Sequence, residues 1–298
     1  MAWLEKMNNV IEYIEKNLDN EINMNKIAEI SCYSTTTFQR MFSIICDVSL
    51  SEYIRHRRLT LAAFELQNSN IKIVDLAAKY KYESPEAFTR AFNTLHGVSP
   101  SVARKIGTSL KAYPRISFHL TLKGDVPMNY RIEQKDGFTV YGIEAIISTK
   151  DGSNWKDVPG FWMESVSNGM LDKLTQSTKL PVSDEGLNLI NAIDSYRTID
   201  SDTIPYMLFA FKTEKSNVEG YTVVDVPSST WAIFKSELHT IEETSNAITS
   251  LIKRIYTDWL PTANYSKVED YELELTYKYK DKYYSEKWIR VMPIKEEI

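Results

Sequence analysis

The chain has 298 residues, 43% of them hydrophobic and 25% charged, a composition typical of a folded protein with room for two domains. No apolar run is long enough to span a membrane, and the N-terminus lacks the apolar centre of a signal peptide. Two cysteines, Cys32 and Cys46, exclude a disulfide framework and a metal-ligand cluster, so we expect reduced core thiols in a cytoplasmic protein without metal or cofactor.

The net charge of −5 is unevenly distributed along the chain. Residues 1–124 hold 16 Lys/Arg and 12 Asp/Glu, a balance of +4, whereas residues 125–298 have a balance of −9. A basic first part and an acidic second part predict two separate roles. A polyanion such as nucleic acid would bind the first part.

Capping side chains predict four helix starts in the first third of the chain, at Asn23, Ser34, Ser49 and Ser84. Ser49 and Glu52 form a capping box that opens a long helix, here predicted over 50–67. Pro85 occupies the first position of the last of these helices, where its missing N–H is not needed.

A structural unit is repeated with an offset of 50 residues. STTTFQRMFSIICDVSL at 34–50 aligns without a gap on SPEAFTRAFNTLHGVSP at 84–100. Apolar residues at helical spacing, such as Phe38 and Phe42 in the first copy and Phe88 and Phe92 in the second, predict the buried face of each helix. A shorter helix precedes each copy, and the order of helix, short turn and helix is the helix-turn-helix pattern.

The outward faces of the two repeated helices carry side chains that can read DNA bases. They are Thr35, Thr36, Gln39, Arg40 and Ser43 in the first copy, and Glu86, Thr89, Arg90 and Asn93 in the second. Gln and Asn pair with adenine edges, and Arg pairs with guanine or phosphate. Either helix alone could simply be a solvated surface, but two copies with Arg at the matching position favour DNA binding.

Residues 5–107 resemble the DNA-binding domain of the AraC/XylS family of bacterial transcription regulators, most specifically in IVDLAAKYKYESPEAFTRAFNTLHGVSPSVARK. The resemblance implies two helix-turn-helix units whose recognition helices enter successive major-groove faces, about 34 Å apart. It places Thr36, Gln39 and Arg40 at base-facing positions, with Glu86, Thr89 and Arg90 at those of the second helix. Thr36 stands where some relatives have a large aromatic residue. The arginines and the histidine of the long helix, at 55–58, are either phosphate contacts or salt-bridge partners.

The helical pattern ends after Lys105, and Gly and Pro residues punctuate a predicted linker over 108–126. We therefore predict a DNA-binding domain at 1–107 and a second domain at 127–298. The sequence pattern of the second domain predicts strands first, then a helix at 158–176, and then strands near 187–194 and 205–213. The same order then repeats, with a helix at 241–258 and strands near 270–280 and 287–294, which predicts an antiparallel sheet with both helices on one side.

This second domain resembles the GyrI-like effector-binding domain, through WAIFKSE after Pro227, IYTDWLP at 255–261, YELEL at 271–275 and WIRVMPIK at 288–295. The resemblance implies an α+β fold of two strand-helix-strand pseudo-repeats, and together the two halves resemble the Rob-like branch of the AraC family. The overall fold class predicted is therefore multidomain, all-α followed by α+β.

By the YELEL match, the resemblance places the family's cation-recognising glutamate at Glu272, with Glu274, on the same face of the strand, as the alternative. A buried carboxylate without a partner would strongly favour a positive ligand. Aromatic side chains could line such a site through cation–π contacts, and the candidates are Trp162, Tyr206, Trp231, Trp259 and Trp288.

The expected function is a ligand-modulated transcription regulator, most simply an activator that binds promoter DNA and contacts RNA polymerase. Its ligand would be a small lipophilic or cationic molecule, with no membrane partner. An enzyme is disfavoured because the second half contains two histidines, no G-x-S-x-G, no P-loop and no metal cluster. Two alternatives stay open: a small hydrolase or lyase in the second domain, and a module that sequesters toxins or other small molecules.

Overall fold

A computed structural model describes residues 2–105, 107–119, 127–180 and 190–294. Contacts between Cα atoms divide the chain into two compact units. One unit, the helical unit, contains residues 2–35 and 48–119. The other, the sheet unit, contains Thr36–Asp47 together with the described residues after His119. One of the two predicted recognition helices is therefore grouped with the second half of the chain.

The first 119 residues form seven helices in their described part. They are α1 (Ala2–Lys16), α2 (Met24–Ser31), α3 (Thr35–Cys46), α4 (Leu50–Asn68), α5 (Ile73–Lys79), α6 (Pro85–His96) and α7 (Pro100–Ala103). Of these, α2 to α6 lie at the predicted places. The predicted caps are confirmed: side-chain oxygens of Asn23, Ser49 and Ser84 accept hydrogen bonds from backbone N–H groups of the turns that follow. These bonds satisfy donors that the first turn of a helix leaves unpaired.

One hydrophobic core of the helical unit lies between α4, α5 and α6. Its buried residues include Leu59, Ala62, Leu66, Leu76, Ala77, Phe88, Phe92 and Leu95. The short Ala77 side chain allows α5 to lie close to its neighbours. The predicted buried face of the second repeated helix is thus confirmed.

Part of the predicted linker packs on the helical unit. The Tyr113 ring stacks on His56 with 4.1 Å between ring centroids. Asn8 holds Phe118 through two hydrogen bonds of 2.9 Å, one accepted from the Phe118 N–H and one donated to its C=O. Residues 108–119 therefore continue the helical unit as ordered chain without helix or strand.

The sheet unit contains the strands β1 (Tyr130–Lys135), β2 (Phe138–Ser148), β3 (Asn191–Asp194), β4 (Thr203–Phe211), β5 (Thr222–Val226), β6 (Ser229–Lys235), β7 (Tyr265–Tyr279) and β8 (Lys282–Pro293). Its helices are α8 (Asn154–Ser167), α9 (Met170–Ser177) and α10 (Thr244–Arg254), and α10 continues into a π-helical turn at Ile255–Trp259. The single helix predicted at 158–176 is two helices, because the chain turns at Gly169, which has the left-handed φ of 73°. Part of the strand predicted at 187–194 lies outside the described residues.

The described strands form one antiparallel sheet in the order β1-β6-β8-β7-β3-β4-β2-β5. This order is symmetric about the β7–β3 pair, and each half of the sheet consists of three strands of one pseudo-repeat and one strand of the other. The strands on either side of the Lys135–Gly137 turn do not pair with each other, since β1 pairs with β6 and β2 pairs with β4 and β5. Each pseudo-repeat is therefore completed by a strand of the other.

The sheet curls so strongly that one of its faces packs on itself. Strands β2 and β6 are five places apart in the sheet order. In a flat sheet that would separate them by about 24 Å, at about 4.8 Å for each spacing. The rings of Phe138 on β2 and Trp231 on β6 nevertheless lie 6.4 Å apart. This curled face is an apolar core, and the helices α8, α9 and α10 pack on the other face.

Candidate DNA-reading helices and effector site

Helix α6 has the geometry expected of a recognition helix. Phe88 and Phe92 are fully buried on its inner face. Glu86, Arg90 and Asn93 are exposed on the opposite face, while Thr89 is half-buried and donates its hydroxyl to the carbonyl of Pro85 at 2.7 Å. Three of the four predicted base-reading side chains of this copy are therefore available to a partner in solution.

Helix α3 repeats the sequence pattern of α6 but lies in a different environment. Its inner residues Phe38, Met41 and Phe42 are fully buried, as in the second copy. Its predicted outer face is covered as well: Thr35 and Ser43 are buried, and Thr36, Gln39 and Arg40 are at most half-exposed. At the position where α6 exposes Asn93, α3 has Ser43 with 4% exposure.

Contacts with other parts of the sheet unit cover the outer face of α3. The Arg40 guanidinium donates two hydrogen bonds to the carboxylate of Asp194 at the end of β3, with distances of 2.8 and 3.2 Å. The Thr149 hydroxyl donates to the side-chain oxygen of Gln39 at 3.2 Å. At the end of the helix, Asp47 pairs with Lys253 of α10 at 2.5 Å. Helix α3 is thus held by groups from both pseudo-repeats.

Asp194 and Glu272 face each other at the centre of the sheet. They are direct cross-strand partners in the β3–β7 pair, where the two pseudo-repeats meet. Asp194 is 1% exposed and Glu272 is 4% exposed. Two buried carboxylates on neighbouring strands would repel each other strongly, so cations must lie close to both of them.

Two lysines of the sheet provide part of that positive charge. Lys267 Nζ lies 2.9 Å from Glu272, and Lys287 Nζ lies 3.0 Å from both Glu272 and Glu274. Lys287 is also 3.7 Å from Asp194. Both lysine side chains are almost fully buried, because a β-bulge between Lys267 and Glu272 and the β7–β8 register direct them to the same face as the carboxylates.

The surroundings of Glu272 and Arg40 favour their charged forms. Burial opposes the charge of Glu272, but Lys267 and Lys287 hold its pKa well below the ordinary value. Burial likewise opposes the charge of Arg40, yet the carboxylates of Asp194 and Glu272 keep its pKa above the ordinary range. Counted by formal charge, three carboxylates and three cations form one network without net charge, in which Glu272 already has partners within the chain.

The structure brings two of the five aromatic candidates to the helix-covered face of the sheet on the β3–β4 side. Tyr206 is 3% exposed and accepts a hydrogen bond of 2.9 Å from the indole N–H of Trp162 on α8. Trp259 packs farther along this face, with its ring 4.9 Å from that of Phe234 on β6.

The other two tryptophans lie on the opposite face of the sheet. Trp231 and Trp288 pack in the curled apolar core, with 6.0 Å between their ring centroids. They share that core with Leu273 and Leu275, whose side chains point away from Glu272. The structure therefore does not bring them to the carboxylates.

A small pocket remains at the contact between α3 and α10. It is lined by Thr37, Arg40, Ile44, Ile252, Tyr256 and Glu272. This pocket places an apolar surface, made by Ile44 and Ile252, beside the buried charge network. Within the described ranges, no cluster of His, Cys, Asp or Glu could hold a metal ion, and no helix is long and apolar enough to cross a membrane.

Sequence reasoning missed Asp194, Lys267 and Lys287. Asp194 is 78 positions away from Glu272 along the chain and becomes its neighbour only through the β3–β7 pairing. For Lys287 a signal existed, because alternation along β8 places it on the face opposite to Trp288. On the long helix α4, Arg57 is a salt-bridge partner of Glu15, with distances of 2.9 and 2.7 Å. Arg58 donates instead to the backbone carbonyls of Leu18 and Asn20.

Comparison with known proteins supports both halves of the chain. Residues 27–106 match a family model described as a helix-turn-helix domain, and residues 131–291 match the family of integron-associated effector binding proteins. The chain is 40% identical over 95 residues to the HTH-type transcriptional activator AarP of Providencia stuartii. The aligned segment covers 32% of this chain and 70% of AarP. It is 37% identical over 101 residues to the regulatory protein SoxS of Salmonella typhimurium, covering 34% of this chain and 94% of SoxS.

Solved structures show a weaker likeness. The integron cassette protein from the mobile metagenome of Vibrio cholerae has a TM-score of 0.39 and 12% identity, covering 55% of this chain and 95% of that protein. A bacterial transcription regulation protein from Staphylococcus aureus has a TM-score of 0.42 and 17% identity, covering 55% of this chain and 99% of that one. Both scores are below 0.5, so the assignment depends on the sequence matches. The chain belongs to the AraC family of helix-turn-helix DNA-binding transcription regulators and carries a C-terminal effector-binding domain of the integron-associated type.

Proposed function

We propose that this regulator activates transcription by binding promoter DNA through α3 and α6 and by contacting RNA polymerase. We further propose that a small cationic or lipophilic molecule in the sheet unit controls this binding. The observation that carries the proposal is the exposed face of α6 opposite its buried phenylalanines. The relatives support activation, since AarP is named a transcriptional activator.

The side chains of α6 fit specific roles on DNA. Arg90 is exposed, and a guanidinium can donate two hydrogen bonds to a guanine edge. Asn93 lies about one turn farther along and can pair with adenine in the same way. Glu86 accepts hydrogen bonds only, so its natural base partner is the amino group of cytosine.

The effector would bind near Asp194 and Glu272. This position combines the carboxylates of Asp194 and Glu272 with the hydroxyl of Tyr206 and apolar side chains of α10. A positively charged ligand with an apolar body matches these surroundings. Turnover of such a compound by the purified protein would instead favour the hydrolase alternative, and drug binding without selective DNA binding would favour the sequestering alternative.

The test is DNA binding by fluorescence anisotropy, on fragments from upstream of the gene and on scrambled duplexes, at two salt concentrations. We expect Arg90→Ala to remove selectivity and to weaken binding to the preferred fragment at least tenfold, since a good bidentate pair contributes about 1–3 kcal/mol. Lys16→Ala on α1 is the matched control, because it removes the same charge from an exposed position outside α3 and α6.

Two results would count against the proposal. Equal losses in Arg90→Ala and Lys16→Ala would show that only overall charge matters. Equal affinity for upstream and scrambled duplexes would show that the repeated helices do not read sequence.

A further inference from the structure

The buried charge network contains one member that differs from the rest. Asp194, Glu272, Glu274, Lys267 and Lys287 all belong to the strands β3, β7 and β8. Arg40 alone comes from a predicted recognition helix. Without Arg40 the five remaining groups carry a net charge of −1, so the sheet by itself presents a buried site that lacks one positive charge.

A buried site of this kind needs a replacement whenever Arg40 leaves. Removing one partner of a buried ion pair is strongly unfavourable, because the remaining charge loses its counter-ion without regaining water. The Arg40 side chain is 15% exposed and Asp194 is 1% exposed, so this pair is well shielded from solvent. Either Arg40 of α3 or another cation must therefore occupy the site.

Occupation of the site by Arg40 is incompatible with base reading by α3. The two N–H groups that Arg40 would present to a guanine already bind Asp194 at 2.8 and 3.2 Å. Gln39 accepts from Thr149, and Ser43 is buried. The matching arginine of α6, Arg90, is exposed.

We propose that α3 is an internal ligand of the effector site, with Arg40 as its cation, and that a monovalent amidinium or guanidinium effector displaces it and frees α3 for DNA. This inference rests on the proposed function for its consequence on DNA, although the displacement itself can be tested without DNA. The effector carries a single positive charge because the vacated site has a net charge of −1. It is planar, with two parallel N–H donors for Asp194, and its apolar body contacts Ile252 and Tyr256 at the pocket beside Glu272.

The arrangement fixes the sign of regulation. The effector binds only the state in which α3 has left the site, and that is also the state in which α3 can contact bases. Effector and DNA therefore favour the same state, and by linkage each tightens the binding of the other. The apparent affinity of the effector is reduced by the small fraction of protein in which α3 is released.

Cys46, the last residue of α3, provides a readout that does not need DNA. It is partly buried, and burial raises the pKa of its thiol to about 12, so it reacts slowly while α3 is docked. Cys32 is exposed and is replaced by Ser in all proteins compared, which leaves Cys46 as the reporter. The measurement is the rate of thiol labelling, with benzamidinium as probe and neutral benzamide as its uncharged control. Probe concentrations extend to about 10 mM, because an intramolecular competitor has an effective concentration in the millimolar range.

Two substitutions release α3 from opposite sides of the contact. Asp194→Asn removes the partner of Arg40 but keeps every predicted base-reading side chain, and Arg40→Gln removes the cation while leaving the sheet intact. We expect each to accelerate Cys46 labelling at least tenfold, with no further acceleration by benzamidinium. Glu144→Gln is the matched control, since it removes a carboxylate that binds Arg197 and Tyr196 on the same sheet. In Glu144→Gln, Cys46 should be labelled at the wild-type rate, and benzamidinium should accelerate this labelling as it does in wild type.

The outcomes separate this inference from the proposed function. Unchanged labelling in both folded variants, or equal acceleration by benzamide and benzamidinium, would overturn the internal-ligand proposal even if DNA binding is selective. Faster labelling in both variants and a saturable response to benzamidinium alone would support it, and would do so even if no selective DNA binding were found. Far-ultraviolet circular dichroism checks that each variant is folded. If Asp194→Asn does not fold, the labelling rate of Arg40→Gln alone tests the proposal.

Discussion

At the scale of single residues, a buried ion pair joins α1 to α4. Arg57 and Glu15 are both 12% exposed at the side chain, and the Tyr53 hydroxyl also donates to Glu15 at 2.7 Å. Breaking such a pair from one side leaves a buried charge without a partner, so we expect Arg57→Ala to lower the free energy of unfolding by about 3 kcal/mol. Urea denaturation measures this loss. Lys26→Ala, which breaks an exposed pair with Glu29, should change stability by less than about 0.5 kcal/mol.

The same glutamate predicts a pH dependence. Burial raises the pKa of Glu15, but hydrogen bonds from Arg57 and Tyr53 outweigh this, and the folded pKa lies below the ordinary value. A depressed folded pKa stabilises the fold above the unfolded value of about 4.3, and the contribution is lost as the pH falls through the folded value. We expect the stability difference between wild type and Glu15→Gln to be constant from pH 7 to pH 5 and to shrink below pH 4. A difference that grows on acidification would contradict this assignment.

Individual candidate residues could be predicted from the sequence only where the signal is local. The outward positions of α6 follow from helical periodicity, and Glu272 with Glu274 follows from strand alternation and the family resemblance. Asp194 could not be predicted, because its role depends on strand pairing over 78 positions. The engagement of Arg40 was equally hidden, since its local pattern is the same as that of Arg90.

At the scale of elements, the contact between β2 and β4 depends on a glycine. A Cβ atom on Gly142 would lie 1.9 Å from the Leu208 carbonyl oxygen, a backbone atom that cannot move away without separating the strands. We expect Gly142→Ala to destabilise the sheet unit by at least about 2 kcal/mol. Thermal unfolding followed by circular dichroism measures the change.

Gly160 supplies the matched control for this substitution. It lies inside α8, and a Cβ atom there would meet nothing within 4 Å. Gly160→Ala should stabilise the protein by up to about 1 kcal/mol, because alanine is the better helix former. Similar effects of the two substitutions would show that the close approach at Gly142 is not a constraint.

Most elements could be predicted from local signals, but their pairing could not. Caps at Asn23, Ser49 and Ser84 identify helix starts because each is a contact within a few residues. The exchange of strands between pseudo-repeats has no such local signal. Two strands around a tight turn usually pair with each other, and here tertiary packing favours the pairs β1–β6 and β2–β5 instead.

At the scale of the whole molecule, two repeated helices with one sequence pattern have different environments. Helix α6 exposes its predicted base-reading face, and contacts with Asp194 and Thr149 cover the corresponding face of α3. The repeat predicts two equivalent readers of DNA, whereas the structure shows only one of them with that face open. This asymmetry is what an effector in the sheet unit could use to control DNA binding.

The most direct test of this account is the affinity for DNA with and without benzamidinium, for wild type and Asp194→Asn. The duplex is one that Asp194→Asn selects from a random pool, and affinity is measured by fluorescence anisotropy at constant salt. We predict that Asp194→Asn binds the duplex at least fivefold more tightly than wild type. Benzamidinium should raise the DNA affinity of wild type towards that of the variant and leave the DNA affinity of the variant unchanged. Equal affinities of the two proteins, or weaker binding of wild type in the presence of benzamidinium, would contradict the account.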